Sequence, residues 1–355
     1  MNYKKPLTFA LGLLAGASFA QSSLTVFGVV DNAIRNSHST GAGSVTTLAS
    51  GAYSSSRYGI RGREDLGGGL AASFWLESFL SADSGTVSPA GFQRRSTVSL
   101  SDRSYGELRM GRDYTPSHSN WARFDPFGYV GLGSVQLFSL AARGNTPVTA
   151  AFGTAPNTVQ RIKNSVQYLL PSNSWGLEGG LMYAFGERGA AADNLHKGMG
   201  GRLGVKFDNV FISAAHMRTR NALTQLGAFK DSALAASWDA SFARFTAGIR
   251  RLQYADAQQN NYLLSARVPF GAQEVKFSWN RADARGRAGG VAISANDADQ
   301  FALGYVYHLS KRTRAYTTVA MLRNKGAAAY AVPGAPVVQP GGRSRGIELG
   351  LNHEF

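Results

Sequence analysis

The chain has 355 residues, no cysteine, and 37 Lys and Arg against 22 Asp and Glu, a formal surplus of +15. Without cysteine it gains nothing from disulfides or thiolate metal ligation, so its fold must rest on size and closed hydrogen bonding. Beyond residue 20 no apolar run approaches the roughly 20 residues that a spanning helix needs, which excludes a helical membrane protein.

The first element is a leader. Lys4 and Lys5 precede an apolar stretch over 7–16, and Ser18, Phe19 and Ala20 put small residues at a cleavage spacing. Residues 1–20 therefore read as a signal peptide and 21–355 as one domain, since no low-complexity linker divides the rest. In a cytosolic chain the basic surplus would suggest nucleic acid. Export argues against that and favours anionic lipid surfaces or anionic solutes.

Alternating segments follow. Tyr58 and Ile60 share one parity, with Arg57, Gly59, Arg61 and Arg63 on the other. Leu203, Val205 and Phe207 alternate in the same way, then Val275, Phe277 and Trp279, then Phe301, Leu303, Tyr305 and Tyr307. The last set is Ile347, Leu349, Leu351 and Phe355. Period two with one polar face describes a half-buried sheet or a barrel wall.

Short turn signals lie at 65–69, 102–106, 171–175, 208–209, around Asp239, at 269–271 and at 310–312. Longer polar stretches lie at 35–51, 82–91, 114–157, 187–197, 220–228, 256–260, 284–296 and 324–343. Seven short turns alternating with eight longer loops connect sixteen strands. That asymmetry belongs to transmembrane barrels with short periplasmic turns and long outer loops. A soluble β-sandwich would have fewer strands and an open edge, which hydrocarbon does not tolerate. The predicted fold is all-β, a 16-stranded antiparallel transmembrane β-barrel, wide enough to keep an open lumen.

Alternation also sorts the charges. It turns Arg57 and Arg61 inward, and with them Arg202, Lys206 and Lys276. Arg161 and Lys163 share parity with Ser165 and Gln167, against Val166 and Tyr168, and are assigned to the lumen. Arg112 shares parity with Leu108 and Met110 and points outward, where a charge at wall height calls for a subunit contact. The six histidines have no nucleophile or paired acids beside them along the chain, so no enzyme site, cofactor or metal is expected.

Several segments together resemble a known family. They are Ser22 to Asp31, Ser56-Arg57-Tyr58-Gly59-Ile60-Arg61-Gly62, Glu64-Asp65-Leu66-Gly67-Gly68-Gly69-Leu70, Arg94 to Leu100, and Gly111-Arg112-Asp113-Tyr114. In this order they resemble the trimeric general porins of the Gram-negative outer membrane, most closely the anion-selective type of β-proteobacteria. The resemblance implies a homotrimeric, water-filled channel for passive diffusion of small hydrophilic solutes and ions, with a preference for anions. A substrate-specific channel for phosphate or small organic acids is the alternative, and a diffusely basic lumen would suit it. The terminal Phe355 matches the aromatic end that the barrel-assembly machinery recognises in that family.

The stretch 114–157 is too long for an ordinary connection and carries Trp121, Phe124, Phe127, Tyr129, Leu137 and Phe138. The resemblance implies that this third loop folds into the barrel and narrows it. It also implies a basic wall of Arg57, Arg94 and Arg161, with Glu77 and Asp125 as acids opposite or near it. Alternation from Val98 and Leu100 points Arg95 inward, whereas the family pattern matches Arg94; a register irregularity near the strand end would reverse the parity. Basic residues in 187–197 and 284–296 suit lipopolysaccharide phosphates at the outer rim.

Overall fold

The computed structural model describes residues 22–139, 144–186 and 196–355. The leader expected over 1–20 and most of the stretch 187–197 lie outside them. Sixteen antiparallel strands form a closed wall. In chain order they are Ser23–Ser39, Arg57–Gly67, Leu70–Ser81, Arg95–Asp102, Gly106–Tyr114, Arg161–Leu169, Leu177–Ala184 and Lys197–Phe207. Val210–Arg220, Phe229–Asp239, Arg244–Tyr254, Ala257–Phe270, Gln273–Ala288, Ala298–His308, Thr313–Asn324 and Arg343–Glu354 complete it.

The first and last strands close the ring. Val29 pairs with Glu354 and Ser39 with Ser344. The backbone amide of Phe355 donates to the Gly28 carbonyl at 3.1 Å, and that of Gly28 donates back at 3.1 Å. A Cβ at Gly28 would fall 2.9 Å from the Arg57 carbonyl and into the Phe355 ring, so any side chain there would have to displace that ring. The alternating apolar sets face outward: Leu203, Phe301, Leu303, Ile347, Leu349 and Leu351 are all exposed on the outer wall. Here that exposure means lipid contact, because the barrel inverts the ordinary inside-outside rule.

The wall is uneven in height. Strands from Arg95–Asp102 to Leu177–Ala184 have 8 or 9 residues, whereas Ala257–Phe270 and Gln273–Ala288 have 14 and 16. Three of the stretches read as loops are partly strand. Residues 35–51 form a hairpin in which Gly43–Ser50 pairs with the first strand, Ser39 opposite Gly43. The stretch 256–260 lies almost wholly in a strand, joined to its predecessor by Ala255 and Asp256 alone. The stretch 284–296 continues its strand to Ala288 and turns back at Val291–Ala292. These segments carry no sustained set of large apolar residues at every second position, so they lack the alternation by which the other strands were found.

The third loop folds inward. Its helix Pro116–Phe124 starts at Thr115, whose hydroxyl accepts the His118 amide, and Pro116 occupies the first turn, where no amide is needed. Trp121 and Phe124 pack against Phe211, Ala233 and Leu263 of the wall. A second helix, Pro147–Phe152, has a capping box between Thr146 and Thr149 and buries Phe152 against Phe229 and Leu252. The eighth loop, taken from sequence as polar, also turns in. Its Tyr330, Val332 and Val338 bury against Leu132 and Phe138 of the third loop, and the Tyr330 hydroxyl donates to Gln259 at 3.0 Å.

Candidate functional site at the constriction

Between the low wall and the infolded loop lies a cavity of about 740 Å³. Arg57, Glu77, Arg94, Tyr114 and Arg161 line it on the wall side, and His118, Arg123 and Tyr129 on the loop side. The arginines sit where short strands begin or end: Arg57 and Arg161 open theirs, Tyr114 closes its own, and Arg94 immediately precedes Arg95–Asp102. Side chains at the rim of a low wall can bend over it into the opening.

One carboxylate and one phenol hold the cluster. Arg94 Nε donates to Glu77 Oε1 at 2.5 Å, and Arg57 Nε lies 3.9 Å from the same oxygen. Arg57 Nη1 also donates to the Ser55 carbonyl at 2.9 Å. The Tyr114 hydroxyl accepts from Arg94 at 3.2 Å and from Arg161 at 2.6 Å. The Arg161 guanidinium lies 4.3 Å from the Tyr114 ring centre, in cation–π contact. On its other side Tyr114 touches His118, with ring centres 4.6 Å apart. His118 is fully buried, and desolvation together with Arg250, Arg161 and Arg94 holds its imidazole well below the usual histidine range. It is therefore neutral at ordinary pH and contributes no charge.

Both arginines of the disputed pair face inward. Arg94 lies before the strand proper, its amide donating to the Glu77 carbonyl at 3.1 Å, while Arg95 is the ladder partner of Glu77. They serve different places. Arg94 lines the main cavity, and Arg95 lies over Trp75 at 4.6 Å in a smaller cavity below it. Arg61 lies 5.1 Å from the same indole, and Arg63 is beside it. Arg202 is in the lumen, donating to Glu178 at 2.5 Å. Lys276 is buried 3.4 Å from Glu274, and Lys206 lines a further cavity with Arg244 and Arg267.

Three expectations need correction or refinement. The first concerns Lys163. Gly111 pairs with Ser165 and Asp113 with Ile162, so one extra residue is inserted there, and Asn164 adopts φ 54°. Alternation restarts out of step beyond such a bulge. Ile162 takes the lumenal face, packed with Met182 and Met217. Lys163 accordingly points outward and is exposed.

The second concerns Asp125, which does not face the constriction. It ends the helix Pro116–Phe124, and its carboxylate accepts the amides of Phe127 at 2.9 Å, Tyr129 at 3.1 Å and Val135 at 3.1 Å. Both oxygens are spent inside the loop. Burial pushes its carboxyl up to about 6, against the lowering effect of those amides. A folded value above the unfolded one means that the folded state holds the proton more tightly, so stability is greatest below about pH 4 and falls as pH rises towards 6. Melting temperatures across pH 3.5–7 are expected to show that decline in the wild type and to flatten in Asp125→Asn. Parallel curves for the two proteins would rule out Asp125 as the titrating group.

The third concerns Glu77, which lies among the arginines and not across from them. The facing loop presents His118, Ser119, Tyr129 and Gln136, with Arg123 as its one charge in the cavity lining. Arg123 and Tyr114 were missed from sequence. Arg123 sits between Trp121-Ala122 and Phe124, and a cation amid those apolar neighbours was its signal. Its guanidinium lies 3.9 Å from the Phe211 ring and donates to Glu178. Arg112 is on the outer side of the low wall, donating to the Gln93 carbonyl.

The model of the Gram-negative porin family matches residues 7–327. Outer membrane porin protein 32 of Delftia acidovorans is 36% identical over 370 residues, covering 99% of this chain and 100% of that protein. The solved anion-selective porin from Comamonas acidovorans superposes with a TM-score of 0.83 at 32% identity, covering 94% of this chain and 100% of that one. A trimer form of OmpT from Vibrio cholerae shares the fold, with a TM-score of 0.65 at 14% identity over 94% of this chain and 99% of the other.

Proposed function

We propose, since this chain belongs to the Gram-negative porin family and is an integral channel of the outer membrane, that its constriction favours anions. The chain is a channel and not an enzyme. The observation that carries the proposal is the charge count at the constriction. Arg57, Arg94, Arg123 and Arg161 line it with Glu77 as the only carboxylate among the described lining residues. Glu77 holds Arg94 and lies near Arg57, so it orders the cluster without cancelling it.

A screening length of about 8 Å leaves such fixed charges effective across a narrow opening, and a low-dielectric wall concentrates their field. Guanidinium also suits the task because it stays ionised and presents paired donors to phosphate or carboxylate oxygens. The homologous Comamonas protein is an anion-selective porin, which agrees with this reading. Arg61, Arg63 and Arg95 extend the basic path below the constriction. Lys163 plays no part in it.

The chain acts as a homotrimer, with the low wall and its outward Arg112 as the subunit face. Phe355 carries the recognition by the assembly machinery, and lipopolysaccharide contacts the outer rim. The test of selectivity is the reversal potential of the purified protein in a planar bilayer under a salt gradient. Chloride is expected to be more permeant than potassium. A potential of the opposite sign would overturn the assignment while leaving the channel intact. Conductance that saturates at low phosphate or organic-acid concentration would instead identify a substrate-specific channel.

A further inference from the structure

Four neighbouring strands carry an unbalanced row of cations on the outside of the barrel, at the end bearing the long loops. Along Lys197–Phe207, Val210–Arg220, Phe229–Asp239 and Arg244–Tyr254, the residues facing away from the lumen at that end include Lys197, Arg218, Arg220, Lys230 and Arg251. All five are exposed. The register puts like charges face to face: Lys197 is the direct partner of Arg220, and Arg218 that of Lys230. Arg251 lies across from Ser232, one outward position along from Lys230.

Direct cross-strand neighbours are about 5 Å apart at Cβ, and like charges there destabilise a sheet. Among the described residues none of the five forms an ion pair with a carboxylate. Elsewhere the chain does pair its exposed arginines, as in Arg244 with Asp239 and Arg285 with Asp283. Directly below this row the outer face becomes apolar, with Met199, Leu203, Ile212 and Leu234 exposed. The surface thus has the polarity of an amphiphile in reverse, cations at the headgroup level and hydrocarbon contacts beneath.

We infer that Arg218, Lys230 and Arg251, flanked by Lys197 and Arg220, bind the phosphates of the phosphorylated glycolipid of the outer leaflet, lipid A. Its acyl chains lie along Met199, Leu203, Ile212 and Leu234. The assignment rests on the outer-membrane placement and deepens the lipopolysaccharide contact proposed above. It centres that contact on the strand face, keeping Lys197 from the stretch 187–197, because Arg285 in the stretch 284–296 is already neutralised by Asp283, whereas Arg251 has only the neutral Asn260 as its partner. Bridging phosphates would turn the repulsive cross-strand pairs into a shared anion site.

The test uses the full-length purified protein in detergent, titrated with bisphosphorylated lipid A or with lipid A stripped of phosphate. Binding is read by native mass spectrometry and by the rise in melting temperature. The wild type is expected to bind the phosphorylated lipid at least about tenfold more tightly than the stripped one, and Arg218→Gln/Lys230→Gln/Arg251→Gln to lose that preference. Without lipid the triple variant should melt no lower than the wild type, since it removes repulsion, which separates a lost site from a lost fold. Failure of the wild type to bind either lipid would sink the lipopolysaccharide contact itself. Equal binding by variant and wild type would overturn only this location. A variant with altered subunit stoichiometry and unchanged lipid binding would give the surface to a second copy of the chain. The reversal potential, measured separately, is expected to be the same in both proteins.

Discussion

Replacing Arg57, Arg94 and Arg161 together with glutamine is expected to abolish the anion preference and turn the channel towards cations. The reason is Glu77. In the wild type it is held by Arg94 Nε at 2.5 Å, with Arg57 Nε at 3.9 Å; in the triple variant it stands as an uncompensated carboxylate in the opening. A fixed charge near a partly screened ion is worth roughly 1 kcal/mol, or about fivefold in a permeability ratio. Three such losses together exceed the preference one site can set. Of the single variants, Arg94→Gln should shift the reversal potential most, because it removes a cation and frees the carboxylate. Arg161→Gln should shift it less, since the Tyr114 hydroxyl then keeps its bond from Arg94. An unchanged reversal potential in the triple variant would place the selectivity elsewhere, with the lower set Arg61, Arg63 and Arg95 as the next to replace.

The second large effect is expected at the anchor of the infolded loop. Arg250 is 0% exposed and binds Asp231 through both Nε at 2.8 Å and Nη2 at 2.6 Å. It also donates to the Tyr129 hydroxyl at 2.8 Å and the Val159 carbonyl at 2.9 Å, both on the loop. Asp231 in turn accepts from Ser117 at the start of the loop helix. Arg250→Leu leaves a buried carboxylate without its cation, a defect costing about 3–5 kcal/mol. The loop should detach before the wall does, because the ladders remain whole. Single-channel recordings are expected to become noisy, and limited proteolysis should cut within 115–160. The double variant Arg250→Leu/Asp231→Leu should regain much of the protection, because no charge is left alone. If proteolysis of Arg250→Leu matched the wild type, the apolar packing of Trp121 and Phe152 would be holding the loop by itself.

How much of this was legible in the sequence depends on which face of a strand meets hydrocarbon. Where one face must be apolar, as from Phe301 to Tyr307 or from Ile347 to Leu351, the period shows and the strand is found. Above the lipid the constraint lapses. The hairpin through Gly43–Ser50 and the start of Ala257–Phe270 carry no run of large apolar residues on one face, and their β-structure stayed hidden. The bulge at Asn164 was equally silent: one inserted residue puts the alternation out of step, and Lys163 was assigned to the wrong side for that reason, while Arg161 at the strand's edge still reaches the opening over the rim. Asp125 was misread because a charge on an infolded loop was taken to face the opening, when three backbone amides had claimed it. The eighth loop could have been read better. Tyr330, Val332, Val337 and Val338 are an unusual content for a loop left in water, and three of them are buried.

The seam between the first and last strands sets the order in which the molecule can be completed. Arg35 meets Glu348 and Asp31 meets Asn352 across it, contacts 313 and 321 residues apart along the chain. Every other described wall strand pairs with a wall strand next to it in the sequence, so hairpins can accumulate one by one, while the seam waits for Arg343–Glu354. Until then the first strand presents an open edge to its surroundings, the kind of edge that invites pairing with a foreign chain. A product lacking the strand Arg343–Glu354 therefore keeps most of its wall and still fails as a barrel. Arg35 and Asp31, made early, find their partners only once Arg343–Glu354 has been synthesised and laid beside the first strand.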